Sequence, residues 1–154
     1  GVKGAIPAVM LLALAYSVNA LSSQMGTANY IINMTEGLLT PHLLPAIIFL
    51  VSAVMAFATG SSWGTFAICM PIALPLAFNF TGGTLTILVI ASFAAVAGGG
   101  VFGDHCSPLS DTTVLSSTGA AADHIDHVKT QLPYALVCGA LAMAAYLVVG
   151  FCFV

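Results

Sequence analysis

Apolar runs of membrane-spanning length alternate along this chain with short polar breaks. The first run, Ala5 to Ser23, is about long enough to cross a hydrocarbon core of roughly 30 Å at 1.5 Å per residue. Residues 24–41 are mixed, include Glu36, and read as an interfacial connection. His42 to Thr59 is apolar again, followed by the break Gly60-Ser61-Ser62-Trp63-Gly64-Thr65 and a second arm, Phe66 to Phe80, that carries Pro71 and Pro75. That arm falls short of the about 20 residues a span needs, and a short interrupted pair of this kind predicts a re-entrant hairpin over 42–80, with two short spans as the alternative. After the turn Thr81-Gly82-Gly83, the segment 84–122 begins apolar and turns polar past Gly98-Gly99-Gly100, and 131–154 is an unbroken final span. The pattern predicts an all-α, polytopic membrane protein, with 1–154 as a single membrane-embedded unit.

Composition agrees. The chain is 60% hydrophobic and 5% charged, with two Lys, no Arg and five acids among its 154 residues. A soluble domain carries about 25% charged residues, so lipid or other membrane-protein surface must be the solvent for most of this one. Two lysines cannot neutralise a phosphate backbone, which excludes nucleic acid as a partner. The four scattered cysteines include no C-x-x-C pair, so neither a disulfide framework nor a zinc site is indicated, and no cofactor is expected. The opening Gly1-Val2-Lys3-Gly4 lacks an initiator Met and a signal-peptide pattern, which reads as an excerpt of a longer polytopic chain. Lys3 and Lys129 both fall on the cytoplasmic side if the first run exits outward, the 42–80 pair enters and returns, and 84–122 crosses inward.

The chemistry concentrates between Gly98 and Thr118. Three glycines, then Gly103 and Pro108, are poor material for an uninterrupted helix, whereas Ser107-Pro108-Leu109-Ser110-Asp111 is a good helix start, with Ser107 at the N-cap and Pro108 at N1. The expectation is a helix that unwinds near Gly98–Cys106 and restarts at Ser107. Such a break gathers backbone carbonyls with Asp104, Ser107, Ser110, Asp111, Thr112 and Thr113. Hard cations such as Na⁺ prefer several oxygen ligands with an anionic one among them. The break at 60–65 offers a matching half in Ser61, Ser62 and Thr65, so the expected ion site joins the two, with Na⁺ between Asp111 and Ser62. Asp111 is the first choice for the titrating carboxylate and Asp104 the second. Trp63, Gly64 and His105 are expected to line a substrate cavity. The plainer alternative puts Asp104, His105 and Asp111 in a solvated loop outside the bilayer.

Two other patterns weigh less. Asp123-His124-Ile125-Asp126-His127 lacks the spacing of a metal site and reads as a polar loop before the last span, with pH sensing by its histidines as the alternative. Gly60-Ser61-Ser62-Trp63-Gly64 matches G-x-S-x-G, which would make Ser62 the nucleophile of an intramembrane serine hydrolase with His42 or His105 as base. That motif needs a strand before the serine, however, and the flanks carry no strand pattern.

The segments Thr59 to Pro71 and Gly100 to Tyr134, above all F-G-D-H-x-S-P-x-S-D-T-T followed by D-H-x-x-H-V-x-T-Q-x-P-Y, resemble the signature regions of NhaC-type sodium/proton antiporters. The resemblance covers essentially the whole chain but only the C-terminal part of that family's architecture. It implies an ion-transporter fold of two inverted repeats, each with a re-entrant hairpin and a broken transmembrane helix meeting at a midplane ion site. Segments 42–80 and 84–122 would be the hairpin and broken helix of the second repeat. It further implies secondary antiport of Na⁺ and H⁺ in the cell membrane by alternating access, with no enzymatic activity. Exchange of a small organic anion, of the malate/lactate type, is the alternative. The expected partners are the bilayer, the two ions, the remainder of the same polypeptide and, as one open arrangement, a second copy in a homodimer.

Overall fold

The computed structural model describes residues 40–154 together with isolated positions between 13 and 26. The span expected over 5–23 and most of the connection over 24–41 therefore lie outside the described residues. Among those described, every regular element is helical. After a 3₁₀ turn at Pro41–Leu43 come α1 (Leu44–Thr59), α2 (Ser62–Phe80), α3 (Ile87–Cys106), the short α4 (Asp111–Gly119) and α5 (His124–Phe153). Pro41–Thr59, α2, α3 and α5 are each long and apolar enough to cross a membrane.

The second arm of the 42–80 pair is longer than the sequence suggested, because α2 begins at Ser62 and runs unbroken through Pro71 and Pro75. Each proline removes one ladder donor, yet the helix continues because the remaining bonds stay intact in a setting where an open backbone has nothing else to bind. The real interruption is only Gly60 and Ser61. Gly60 takes a left-handed φ of 66° and its N–H closes α1 on the Ala56 carbonyl at 2.8 Å. Ser61 then caps α2, its hydroxyl accepting from the Gly64 N–H at 3.2 Å. Ser62, Trp63, Gly64 and Thr65 form the first turn of α2 rather than a loop.

The expected unwinding at Gly98–Cys106 does not occur, for α3 is continuous to Cys106. These glycines give up side chains so that helices can approach. A Cβ on Gly99 would lie 2.9 Å from the Ser52 Cβ and 3.0 Å from the Ala53 N. On Gly103 it would lie 2.7 Å from the Phe57 N and 2.8 Å from the Ala56 Cβ. Ala91, Ala95, Gly99 and Gly103 thus form one small-residue stripe at four-residue spacing along which α1 lies. Gly99 meets Phe49 to Ala53, Gly103 meets Ala53 to Phe57, and Gly60 meets Leu109 and Ser110. Rising numbers meet rising numbers, so α1 and α3 run parallel, and α2 is the return between them.

Pro41, Phe80, Ile87 and Phe153 line one recess, which marks the end that α1 and α3 leave and that α2 and α5 reach. Phe49 lies at the centre of the packing, its ring 6.0 Å from Phe102 and 5.3 Å from Tyr146. On α5, Gly139 seats the Phe102 ring, and at the helix's far end the His42 Nδ1–H donates to the Gly150 carbonyl oxygen at 2.9 Å, with its ring stacked on Phe151. The outer faces carry Leu50, Val54, Leu136, Val137, Leu141 and Val148 exposed, as a lipid-facing surface allows.

Candidate functional site

Both chain breaks lie at the same level. The 3₁₀ turn with α1 and the whole of α3 each run about 30 Å from the shared end before they stop. The two breaks touch. The Gly60 Cα packs against the Leu109–Ser110 backbone so closely that a Cβ would fall 2.7 Å from the Leu109 carbonyl carbon. Beside that contact the Ser107 hydroxyl donates to the Phe57 carbonyl at 2.7 Å, across 50 residues of sequence. This bond satisfies a carbonyl in the last turn of α1, where the helix leaves its own acceptors open. Removing it with Ser107→Ala leaves that carbonyl without its partner, so the unfolding midpoint in detergent is expected to fall by an amount equivalent to about 1–2 kcal/mol. An unchanged midpoint would show that the bond contributes nothing to holding the breaks together.

The loop after α3 is short. Ser107 ends α3 instead of starting the next helix, and only Pro108 and Leu109 separate it from Ser110, the true N-cap of α4. The restart is displaced from Ser107 to Asp111 because the Ser107 hydroxyl is engaged with α1 and with the Leu109 N–H at 3.1 Å. Ser110 then caps α4 by accepting from the Thr112 N–H at 3.1 Å.

Asp104 lies in the last turn of α3, buried, and accepts the Ser110 hydroxyl proton at 2.6 Å. That bond commits the single hydrogen on Ser110, so the 2.7 Å contact between Ser110 and Thr112 is one in which the Thr112 hydroxyl donates. A polarised row therefore runs from exposed Thr112 through fully buried Ser110 to the Asp104 carboxylate. Thr113, also buried, donates to the His105 carbonyl at 3.0 Å and fastens the first turn of α4 to the end of α3.

Of the residues singled out from the sequence, Asp104, Ser107, Ser110, Thr112 and Thr113 come together here. Asp111 heads α4 with its side chain exposed, where its charge complements the helix dipole. The other half stays apart at the level of hydrogen bonds: Ser61 caps α2, and the Thr65 hydroxyl, buried, donates back to the Ser61 carbonyl at 2.9 Å. Trp63 is 60% exposed with its ring edge on Phe66, and His105 is exposed, its Nδ1 3.3 Å from the Val101 carbonyl oxygen. The G-x-S-x-G match is flanked by two helices, so the strand–turn–helix of a nucleophile elbow is missing among the described residues.

Three contributors escaped the sequence reading. The Phe57 carbonyl carried no signal, since any residue type supplies a carbonyl. Gly60 was visible as a helix breaker but not as the contact surface for a second break. His124 was read as part of a polar loop, whereas Asp123 caps α5 there, its Oδ1 accepting from the Ile125 and Asp126 N–H groups at 2.9 and 3.1 Å, so 124–130 are the first turns of α5. An Asp followed by acidic Asp126 and an apolar run was the signal for that start.

Residues 1–151 match the family described as the Na⁺/H⁺ antiporter family. An uncharacterised protein of Haemophilus influenzae is 45% identical over 151 residues, covering 98% of this chain and 28% of that protein. The arginine/ornithine antiporter ArcD of Halobacterium salinarum is 34% identical over 143 residues, covering 93% of this chain and 28% of its own length. The malate-2H⁺/Na⁺-lactate antiporter of Bacillus subtilis is 29% identical over 154 residues, covering 98% of this chain and 31% of its own. The chain thus spans less than a third of the length of these relatives. No solved structure matches.

Proposed function

The chain belongs to the Na⁺/H⁺ antiporter family, and from that premise we propose that it carries one half of an ion site, at the level where α1 and α3 end, at which Na⁺ and H⁺ compete for a carboxylate. Asp104 is the centre of this site, with Ser110 and Thr112 as neutral oxygen ligands and Asp111 as a second carboxylate at its mouth. In this reading Ser61, Ser62 and Thr65 of the other break supply further hydroxyl ligands. The observation that carries the reading is a buried carboxylate, held by a hydroxyl, at the point where two interrupted helices touch. Intramembrane acids are costly unless they bind or pair, and none of the described Lys side chains meets this one, since Lys129 pairs only with Asp126 at 4.0 Å on the surface. The ends of α1 and α3 bring partial negative charge to the meeting point, and the starts of α2 and α4 bring partial positive charge.

Antiport follows from exclusion. Na⁺ needs the ionised carboxylate, a proton neutralises it, and alternating access lets each side load the species its gradient favours. In this reading 42–80, whose two arms are each of spanning length, is the helix pair and 84–122 the broken helix of one inverted repeat in a plasma-membrane carrier. The test is Na⁺-driven proton movement in proteoliposomes of the whole protein, read with a pH-sensitive dye. Na⁺ is expected to drive it and K⁺ not. The Na⁺ concentration for half-maximal rate should rise on acidification, by up to about tenfold per pH unit under simple competition. A response equal for Na⁺ and K⁺ would sink the proposal.

A second reading, exchange of an organic ion in place of Na⁺ or together with it, is favoured by one observation. The first turn of α2 contains no acid, and with the Gly64 N–H taken by the Ser61 cap, the Ser62 and Trp63 N–H groups are open, among the described residues, to a carboxylate from the substrate. The names of the arginine/ornithine and malate/lactate relatives point the same way. Stimulation of Na⁺-linked proton movement by malate, lactate or arginine separates the two readings.

A further inference from the structure

His124 is the one side chain of α5 that hydrogen-bonds to the loop between α3 and α4 among the described residues. Its Nε2 stands 2.9 Å from the Pro108 carbonyl oxygen, and because a carbonyl only accepts, Nε2 carries the proton. Its Nδ1 stands 3.2 Å from the hydroxyl of Ser117, which is itself buried on α4 and within 2.9 Å of the Val114 carbonyl oxygen. The imidazole therefore bridges three elements: the start of α5, whose position the Asp123 cap fixes, the loop, and α4. Its neighbour on the same turn, His127, makes no such bond.

The loop it grips is the one that carries Ser110. Within its four residues the only internal ties are the Leu109 N–H on the Ser107 hydroxyl and a 3.4 Å bond from the Ser110 N–H to the Ser107 carbonyl. The two ends of the loop are held to α3 and α4, Ser107 by its N–H on the Asp104 carbonyl and Ser110 by its hydroxyl on the Asp104 carboxylate. Gly60 packs against Leu109 and Ser110, and hydrogen bonds from the other helices come from Phe57 of α1 through Ser107 and from His124 of α5 through Pro108. His124 holds the one residue of the loop, Pro108, that none of these other ties reaches, so without it Pro108 is free to shift and the Ser110 oxygen is held less closely relative to Asp104.

We propose that His124 is a positioning residue of the ion site, tying the loop to α5 so that the Ser110 hydroxyl stays on the Asp104 carboxylate. This rests on the antiport reading above, and two measurements keep the two apart. In proteoliposomes of the whole protein, His124→Ala raises the Na⁺ concentration for half-maximal proton movement about tenfold, the equivalent of about 1.4 kcal/mol, with the maximal rate within about a factor of three. His124→Gln, whose amide can still donate to Pro108, recovers most of the affinity. Ser117→Ala, which leaves the ring in place but removes its support, gives a smaller shift in the same direction and serves if His124→Ala does not fold. His127→Ala stays at the wild-type value. In the second measurement, hydrogen–deuterium exchange by mass spectrometry, peptides covering 107–113 exchange several-fold faster in His124→Ala than in wild type and in His124→Gln.

Unchanged Na⁺ affinity in His124→Ala or Ser117→Ala overturns the proposal, and so does faster exchange without an affinity change, since the loop would then be held for stability alone. A Gln variant as impaired as Ala overturns the donor assignment. Wild-type protein that moves no protons with Na⁺ overturns the antiport reading, and the exchange measurement then decides alone whether His124 holds the loop.

Discussion

Asp104→Asn is expected to abolish Na⁺-driven proton movement in the whole protein, to below about one part in a hundred of the wild-type rate, or at least about 2.7 kcal/mol in the barrier. Asparagine has the size of aspartate and its carbonyl oxygen still accepts the Ser110 hydroxyl, so the bond seen at 2.6 Å has a substitute. What it lacks is the negative charge that offsets partial dehydration of Na⁺ and the proton that must leave when Na⁺ enters. Both halves of exchange are lost together, whereas the cost to folding should stay under about 1.5 kcal/mol. Dye-monitored exchange and a thermal melt in detergent, done on one preparation, separate the two effects. Asp111→Asn is expected to weaken apparent Na⁺ affinity by a few-fold at most, because that side chain is exposed at the start of α4. Asp126→Asn, on the exposed first turn of α5, is the matched control and should exchange normally. Normal exchange by Asp104→Asn together with loss of exchange in Asp111→Asn would move the site's centre to Asp111.

The second large effect falls on the fold. Gly103→Leu should prevent accumulation of folded protein, because the added Cβ would lie 2.7 Å from a backbone nitrogen and 2.8 Å from Ala56 of α1. Overpacking in a core costs about 1–3 kcal/mol when side chains can shift, and backbone on the opposing helix cannot shift without parting α1 from α3. Separation of those helices also separates Gly60 from Ser110 and breaks the Ser107–Phe57 bond, so structure and site fail together. Gly98→Ala is the control: its nearest neighbour is the Tyr146 hydroxyl at 3.1 Å, the movable end of a side chain. Yield of monodisperse protein on size-exclusion chromatography reads both. Equal yields for Gly103→Leu and wild type would mean that the glycine stripe is not the seam between α1 and α3.

That seam shows why one motif was read the wrong way round. A run of glycines looks like a broken helix in sequence because glycine is a poor helix former, yet in lipid the backbone has no other partner and the helix persists. The penalty is offset by close approach to α1, which only the neighbour's position reveals. Ser107-Pro108 likewise has every mark of a helix start, and it lost that role because the Ser107 hydroxyl was captured by Phe57, 50 residues away. Sequence places Asp111 ahead of Asp104, yet both flank the same break, and which of the two side chains the packing encloses is not visible in any local pattern.

By itself the sequence determined the membrane-embedded character of this protein, because seven formal charges in 154 residues leave no other solvent for most of its surface, and its helical character, because the apolar runs have the length of spanning helices. It also determined that interruptions fall near 60 and near 108, because Gly60-Ser61 and Ser107-Pro108 carry local backbone preferences against a continuing helix. Only the tertiary structure decided that the two interruptions touch, that Asp104 is the enclosed carboxylate, and that His124 reaches back to the loop. Each of these depends on where parallel α1 and α3 pack and where α5 begins. Those positions follow from distant contacts, such as Gly99 on Phe49 to Ala53 and Gly139 on Phe102, and no local pattern encodes them.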